Sequence, residues 1–401
     1  MWRKRLFRGL LWLSGWASLG GCGGHETQFR LNAVYLHKEE VAAKSRLTDE
    51  QRQDMTEALA WLFGTPEEPR VPDLPDGALV ELLDAANLQA AAGRVGPRWA
   101  AERRGLHRRY CASCHGVAGD GTGPLAALLS PYPRDFRRGV FKFKSTAGPG
   151  TPPTHDDLVR IVTEGNPGTA MPSFRRLPAE DRDALAQYTK YLAIRGQAER
   201  FLLALAVDEW EPGQRPVARL PTGTNPDRFP EPVEPVRKFL IRVAENWRTA
   251  ATKVGAVPAR PSEEDRATAI SRGRELFRGP VANCVKCHGD DDQPASEAPD
   301  YDDLTKEIID PGRPDAWRQF VAVGALRPRL AQPRTLRHGI YHGGGQPDQL
   351  YRRIRDGIAG TPMPAAAMKP ADADPQDQRL SPEDVWCLVE YVLSLPGRGS
   401  E

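Results

Sequence analysis

Long apolar runs are almost absent from this sequence. Its 401 residues are 40% hydrophobic, yet the one extended apolar segment runs only from Gly9 to Leu19. That segment is too short to span a bilayer comfortably, so the sequence excludes a protein with several membrane-spanning helices. The chain is instead long enough for two or three compact domains, each with its own small core.

A large excess of one charge is also absent. The sequence has 55 Lys and Arg residues and 53 Asp and Glu residues, a formal net charge of +2. A balance this even indicates no particular partner, and we expect no nucleic-acid partner. The charged residues are nevertheless unevenly distributed along the chain. Basic residues surround the segment CASCHG at 111–116, the first copy of a repeated motif. An insertion in the second copy has nine acidic residues and one Lys between Asp290 and Asp310.

Residues 1–21 are typical of an export signal, in which basic residues precede a short apolar segment. The sequence Leu19-Gly20-Gly21-Cys22 is similar to a bacterial lipobox. We therefore expect cleavage before Cys22 and lipidation of that cysteine, which would make lipid the only membrane anchor. The alternative is an ordinary signal, or an uncleaved anchor, with a cysteine there by chance. Removing residues 1–21 leaves 51 basic and 53 acidic side chains, a net charge of −2.

Cysteine and methionine are scarce, with six and five residues, so their recurrence in matched motifs is informative. The segment CASCHG at 111–116 returns as CVKCHG at 284–289. A Cys-x-x-Cys pair serves zinc binding, dithiol redox chemistry and covalent haem attachment. A single pair supplies only two zinc ligands, and a thioredoxin-like dithiol needs a βαβ context that the sequence does not indicate.

Covalent haem attachment accounts for all three residues of each motif. Two cysteines separated by two residues can form thioethers to the two vinyl groups of one porphyrin, and the following histidine then ligates the iron. The sequence thus predicts two haem c groups. Their attachment and proximal residues are Cys111, Cys114 and His115 in the first copy, and Cys284, Cys287 and His288 in the second.

The two motifs belong to an internal repeat. DDLVRIVTEGNPGTAMP at 156–172 aligns without a gap to DQLYRRIRDGIAGTPMP at 348–364, with eight of seventeen positions identical. PRDFRRGVF at 133 resembles PRTLRHGIY at 333, and amphipathic helices are predicted at 177–192 and 380–395. Two homologous helical domains are the simplest explanation.

Each repeat also supplies a candidate for the sixth iron ligand. Met171 and Met363 occupy the same position of the aligned segment, and they are two of only five methionines in the chain. A thioether ligand raises the reduction potential relative to a second histidine. The alternative is a methionine buried in a core, and Met368, which has no counterpart in the first copy, is the weaker competitor.

With these motifs in place, residues 97–197 and 262–397 each resemble a class I cytochrome c domain: Cys-x-x-Cys-His near the start, a Met-Pro loop later and a closing helix. The resemblance covers about 60% of the chain. It implies a mainly α fold in which a few helices surround the haem and the first and last helices cross. Together the repeats resemble diheme c-type cytochromes.

The sequence divides into five regions. They are a signal peptide at 1–21, an N-terminal helical region of unknown role at 22–96, a first cytochrome c domain at 97–197, a Pro-rich linker with a short helix at 198–261, and a second cytochrome c domain at 262–401. In the N-terminal region, Thr48 and Gln51 predict a capping box for a helix that Gly64 and Pro66 end.

The expected function is electron transfer by a membrane-anchored, periplasm-facing carrier or subunit of a respiratory oxidoreductase. Its partners would be an electron donor and an acceptor, such as a quinol-oxidising complex and a terminal oxidase, steered to oppositely charged faces. The alternative is a diheme enzyme of the peroxidase or thiosulfate-oxidising type, in which one axial ligand is displaceable.

The remaining candidates have weaker roles. Cys387 aligns with Ala184 and is expected to be a buried, inert thiol. Arg134 and Arg334 sit at matched positions and could pair with haem propionates, although exposed arginines are an equal alternative. Four histidines could replace a methionine or line an open haem, although each alone is more often a surface residue: His107, His155, His338 and His342.

Overall fold

The computed structural model describes residues 28–74, 77–95, 104–211, 214–216, 232–290, 295–296, 298–300, 314–370, 372, 374 and 376–395. Over these residues the architecture is mainly α, as the sequence predicts. None of the described helices is both long and apolar enough to cross a membrane. The predicted signal peptide, Cys22 and most of the acidic insertion lie outside the described residues.

The helices are numbered here in chain order. They are α1 Ala33–Ala43, α2 Asp49–Phe63, α3 Ala78–Leu82, α4 Ala85–Ala91, α5 Leu106–Tyr110, α6 Ala112–His115, α7 His155–Glu164, α8 Ala179–Asp208, α9 Glu234–Arg248, α10 Arg266–Arg278, α11 Val285–His288, α12 Pro314–Ala322, α13 Pro347–Asp356 and α14 Pro382–Ser394. Two three-residue strands, β1 Ala298–Asp300 and β2 Arg329–Ala331, pair antiparallel with Ala298 opposite Ala331.

Helix starts follow local signals in the sequence. At α2 the Thr48 side chain accepts from the Gln51 N–H and the Gln51 side chain accepts from the Thr48 N–H, which confirms the predicted capping box. At α14 the Ser381 side chain accepts from the Asp384 N–H and Pro382 occupies the first turn. Both starts depend on residues that lie within four positions of one another, so the local sequence decides them.

The largest core is built around α8. The N-terminal helices α1, α2 and α4 and the repeat helices α5 and α7 all pack against it. Its members include Leu59 and Leu79 of the N-terminal region and Leu192 and Leu202 of α8, each at most 2% exposed. The N-terminal region and the first repeat therefore share one hydrophobic core.

A buried ion pair lies within this shared core. Glu199, fully buried on α8, accepts from the Arg195 Nη1 atom at 3.0 Å and from the Asn32 backbone N–H at 2.9 Å. The Arg195 guanidinium also lies 4.1 Å from the ring centroid of Phe29. Both oxygens of this desolvated carboxylate are thus occupied, and one of the bonds reaches the N-terminal region.

Helix α8 differs from the sequence expectation in length. The predicted boundary between the first domain and the linker, after residue 197, falls inside this 30-residue helix. Its second half is as well buried as its first, because the N-terminal region and α9 cover it. The short helix predicted within the linker is α9, which is followed by a 3₁₀ turn at Thr249–Lys253.

The second repeat has its own, smaller core. Helices α10 and α14 cross there, and Val385, Leu388 and Val389 of α14 are at most 1% exposed. The crossing is so close that a Cβ on Gly273 would lie 1.9 Å from the Cys387 carbonyl oxygen. Glycine at 273 is therefore what allows the first and last helices of this repeat to cross as the resemblance implies.

The first repeat contacts the linker through backbone hydrogen bonds, and α12 of the second repeat contacts the N-terminal region. The Gly255 N–H donates to the Ser145 carbonyl at 3.2 Å, and the Ala147 N–H donates to the Lys253 carbonyl at 3.0 Å. Phe320 of α12, an element of the second repeat, packs its ring edge against His37 of α1 with a centroid distance of 4.9 Å. The second repeat therefore reaches the first core.

Candidate haem-binding sites

Each Cys-x-x-Cys-His motif forms a single helical turn. Helix α6 holds Cys114 and His115, and helix α11 holds Cys287 and His288, with the first cysteine of each motif at the N-cap position. The His115 N–H donates to the Cys111 carbonyl at 2.8 Å, and the His288 N–H donates to the Cys284 carbonyl at 2.9 Å. The two turns thus close with the same backbone hydrogen bond despite different residues between the cysteines.

Both motif histidines are oriented by a backbone carbonyl. The Nδ1 atom of His115 lies 3.1 Å from the Arg134 carbonyl oxygen, and that of His288 lies 3.2 Å from the Arg334 carbonyl oxygen. A carbonyl oxygen only accepts, so Nδ1 carries the proton and the lone pair lies on Nε2. This tautomer is the one that ligates a metal through Nε2, with the carbonyl as its supporting contact.

Two of the four predicted attachment cysteines, Cys111 and Cys284, lie where burial favours the protonated thiol. Burial raises the pKa of Cys111 to about 12 and that of Cys284 to about 11. Dithiol exchange uses the thiolate, which such pKa values disfavour. Among the described residues, no three His, Cys, Asp or Glu side chains converge as metal ligands.

In the first repeat the predicted haem residues line one cavity of about 200 Å³. Cys111, Cys114, His115 and Met171 all contribute to its wall. The rest of the wall is largely apolar and includes Tyr110, Leu129, Phe136, Phe141, Leu158 and Phe174. The His115 ring stacks on Phe136 with centroids 4.6 Å apart, which limits rotation of the imidazole.

The Met171 loop has a defined internal frame. The Asn166 N–H donates to the Met171 carbonyl at 3.1 Å, and the Met171 N–H donates to the Thr169 Oγ1 atom at 3.1 Å. The Thr169 hydroxyl donates in turn to the Asn166 carbonyl at 2.7 Å. These bonds close the loop on itself and hold the methionine backbone in place.

The Met363 loop of the second repeat repeats this frame. The Ile358 N–H donates to the Met363 carbonyl at 3.1 Å, and the Met363 N–H donates to the Thr361 Oγ1 atom at 3.2 Å. Met368 instead packs against the second core, and its backbone pairs with Leu380. Met363 therefore has the structural counterpart in the first repeat that Met368 lacks.

The residues of both repeats fit a covalently attached haem. In the first, an apolar cavity brings together two thiols, an imidazole with a free Nε2 lone pair and a thioether, which is the donor set of haem c. The second has the same motif turn, the same carbonyl contact and the same methionine loop frame. Which residues bind the haem stays a prediction from the sequence.

The four histidines considered as alternative haem residues have different surroundings. His107 is buried against Tyr188, and burial lowers its pKa to about 3. The Nε2 atom of His155 pairs with Asp183 at 2.6 Å, and His338 is exposed. Only His342 lines the cavity of the first repeat, although it belongs to the second.

The remaining sequence expectations meet mixed outcomes. Cys387 is a free thiol that is only half-buried, whereas its counterpart Ala184 is fully buried. Arg134 and Arg334 orient the motif histidines through their backbone carbonyls. The sequence analysis considered only their side chains and missed this role. The similarity of PRDFRRGVF to PRTLRHGIY was the signal that the sequence offered. It does not indicate that the backbone carbonyl of the arginine, rather than its side chain, contacts the histidine.

Several basic residues around the first motif have acidic partners of their own. Arg104 pairs with Glu68 at 2.8 Å, and Arg108 pairs with Glu67 at 2.7 Å, so both contact the N-terminal region. This pairing reduces the positive charge that the first repeat presents to a partner. Steering by oppositely charged faces stays a prediction.

Comparison with known proteins gives two family matches. Residues 100–188 match the family described as cytochrome C oxidase, cbb3-type, subunit III, and residues 270–396 match cytochrome c. None of the curated proteins compared with the chain matches it. A chain of the Kuenenia stuttgartiensis reducing HAO-like protein complex is similar at 23% identity and a TM-score of 0.41, covering 73% of this chain and 94% of that one. A similarity this low carries no inference about function.

The two family matches fall on the two repeats, and each contains one Cys-x-x-Cys-His motif and one methionine loop. Cytochrome c domains carry covalent haem c and transfer electrons, so the matches imply that function. The chain contains two cytochrome c domains, one in each repeat.

Proposed function

We propose that this protein is an exported, lipid-anchored diheme cytochrome c that relays single electrons between partners of a respiratory chain. The observation that carries the proposal is the matched pair of sites. Each has a motif histidine held by a carbonyl and a methionine held by the same loop frame. Two sites of the same design suit a relay, in which electrons pass without any bond being made or broken.

The proposed haem-binding residues divide into three roles in each domain. Cys111 with Cys114, and Cys284 with Cys287, would attach the porphyrin by thioethers; His115 and His288 would be the proximal ligands and Met171 and Met363 the distal ones. When bound, haem iron alternates between the ferric and ferrous states and so carries one electron. The largely apolar wall of the first cavity would lower the polarity around the haem, and methionine sulfur would favour the reduced state.

Export and lipidation at Cys22 are proposed from residues 1–22. Covalent haem attachment to Cys-x-x-Cys-His fits an exported protein, in which cysteines need to be bonded, metallated, lipidated or buried. The family description of residues 100–188 supports a terminal oxidase as one partner. The proposal includes a quinol-oxidising complex as the donor, with the protein acting either as a carrier or as a subunit.

The proposal is tested on the mature protein, expressed in a host that exports it and attaches haem c. We expect two haems per chain by pyridine haemochrome. We also expect both to be low-spin, with the far-red absorption band of methionine bound to ferric iron. Met171→His and Met363→His should each remove about half of that band, and the double variant should remove all of it.

Met368→Leu is the matched control, because Met368 packs against the second core and should leave the band unchanged. A chain with one haem, or a band that survives the double variant, would contradict the proposed sites. One high-spin iron in the unmodified protein would instead favour the diheme enzyme. Absence of lipid on the N-terminal peptide in a mass spectrum would refute anchoring at Cys22.

A further inference from the structure

The second domain contacts the axial methionine loop of the first. Residues 340–344, here called the bridging loop, lie against residues 165–172, which form the Met171 loop. The His342 Nε2 atom lies 3.3 Å from the Gly168 carbonyl oxygen, and the Gly343 N–H donates to the Asn166 Oδ1 atom at 2.7 Å. His342 also lines the same cavity as Met171.

These contacts reach the methionine in one further step. Asn166 receives the bond from Gly343 through its side chain, and its own N–H donates to the Met171 carbonyl. A restraint placed on Asn166 is thus a restraint on the backbone of Met171. The Gly168 carbonyl, held by His342, lies on the same loop only three residues before the methionine.

The bridging loop is itself held in place from both domains. Arg353 of α13 donates to the carbonyls of His342 and Gly344, and Arg160 of α7 donates to the Gly343 carbonyl at 3.4 Å. Gly343 has a φ of +79°, and a Cβ there would lie 2.4 Å from the Phe143 ring. Only glycine brings the backbone this close to the first domain.

The arrangement is not reciprocal. In the second domain Ile358 stands where the first has Asn166, and an aliphatic side chain cannot accept such a bond. Burial, followed by the nearby positive charge of Arg334, lowers the pKa of His342 to about 4. His342 is therefore neutral near pH 7, and its Nε2–H is the donor to Gly168 because a carbonyl oxygen only accepts.

We propose that the bridging loop of the second domain is a positioning element for the Met171 loop, so that contact between the domains stabilises methionine ligation in the first domain alone. His342 and Gly343 are positioning residues, since they act through Gly168 and Asn166. The inference rests on the proposed function, because it requires Met171 to be an iron ligand. It makes axial ligation in one domain depend on the other.

The test measures how readily imidazole displaces the methionine from ferric iron. It uses the full-length holoprotein with Met363→His, so that the far-red band reports Met171 alone. We expect His342→Ala, and separately Asn166→Ile, to tighten the apparent affinity for imidazole about fivefold, the equilibrium equivalent of one ordinary net hydrogen bond. His342→Gln, which keeps an N–H donor, should restore part of the difference.

His338→Ala is the matched control, since this histidine precedes the bridging loop and is exposed. It should leave imidazole binding unchanged. Unchanged imidazole affinity in both His342→Ala and Asn166→Ile would overturn the inference, as would equal changes at Met363 measured in a Met171→His background. A far-red band missing before any bridging-loop substitution is made would refute the proposed function instead. Haem content and thermal unfolding are measured on every variant to identify any that fails to fold. If His342→Ala fails to fold, the imidazole affinities of Asn166→Ile and His342→Gln test the inference.

Discussion

The two cytochrome c domains have the same motif turn and methionine loop but different support. The first shares its core with the N-terminal helices and contains the fully buried pair of Arg195 and Glu199. The second has a smaller core, and its buried Glu390 pairs with Arg260 and Arg266, which are 40% and 39% exposed. The comparison teaches that a repeated site can depend on different parts of the molecule for its stability.

The methionine loop of the first domain also depends on the second domain, whereas Ile358 of the Met363 loop cannot accept the bond that Asn166 accepts. The bridging loop reaches the Met171 loop, and α12 reaches α1. The first haem site is thus supported by the N-terminal region on one side and by the second domain on another. Variants that remove one support at a time should separate the two domains.

Deleting residues 23–96 should have the largest effect. It removes α1, α2 and α4 from α8 and uncovers Tyr191, whose ring packs against Phe63, and Glu199, which accepts from the Asn32 N–H. We expect the first domain to lose its fold and its haem, while the second retains both, so that pyridine haemochrome falls from two haems per chain towards one. A truncated chain that keeps two haems and its unfolding temperature would show that the N-terminal region is a separate docking module.

Replacing the two buried glutamates should give a smaller difference between the domains. Glu199→Ala leaves the Arg195 guanidinium buried and uncompensated, and we expect it to lower the free energy of unfolding of the first domain by about 3–5 kcal/mol. Glu390→Ala should lower that of the second by only about 1–2 kcal/mol, because its two arginines can turn to water. Denaturant unfolding followed at each haem measures both values, and equal losses would contradict the comparison.

The smallest expected effect is a pH dependence of the first domain. Lys190 on α8 is 6% exposed, and burial lowers its pKa to about 8, against about 10.4 for an unfolded chain. Between these values the unfolded state holds the proton and the folded state has lost it, so raising the pH stabilises the fold. Lys144 in the same domain acts in the same direction.

Unfolding free energies measured between pH 8 and 10 should therefore rise by about 1–3 kcal/mol for the first domain. Lys190→Met removes the buried amine and should reduce this slope, leaving the contribution of Lys144. The second domain serves as the internal control. A slope that is the same with and without Lys190 would exclude this residue as its source.

Much of the local structure was predictable from the sequence. The capping residues Thr48 and Ser381 mark the starts of α2 and α14, and the repeat places Met171 and Met363 in equivalent loops. The predicted boundary after residue 197 falls inside α8, and the N-terminal region buries this helix beyond that point. Nothing in the residues around that boundary indicates this burial.

The sequence by itself determined the chemistry that the protein can perform, because cysteine spacing, an adjacent histidine and a matched methionine are properties of short segments. Tertiary structure alone decided which carbonyl orients each histidine, that Glu199 joins the N-terminal region to the first domain, and that His342 lies in the cavity of the other domain. These contacts join residues up to 177 positions apart. Such pairs leave no local pattern, since their geometry exists only after distant segments of the chain have packed together.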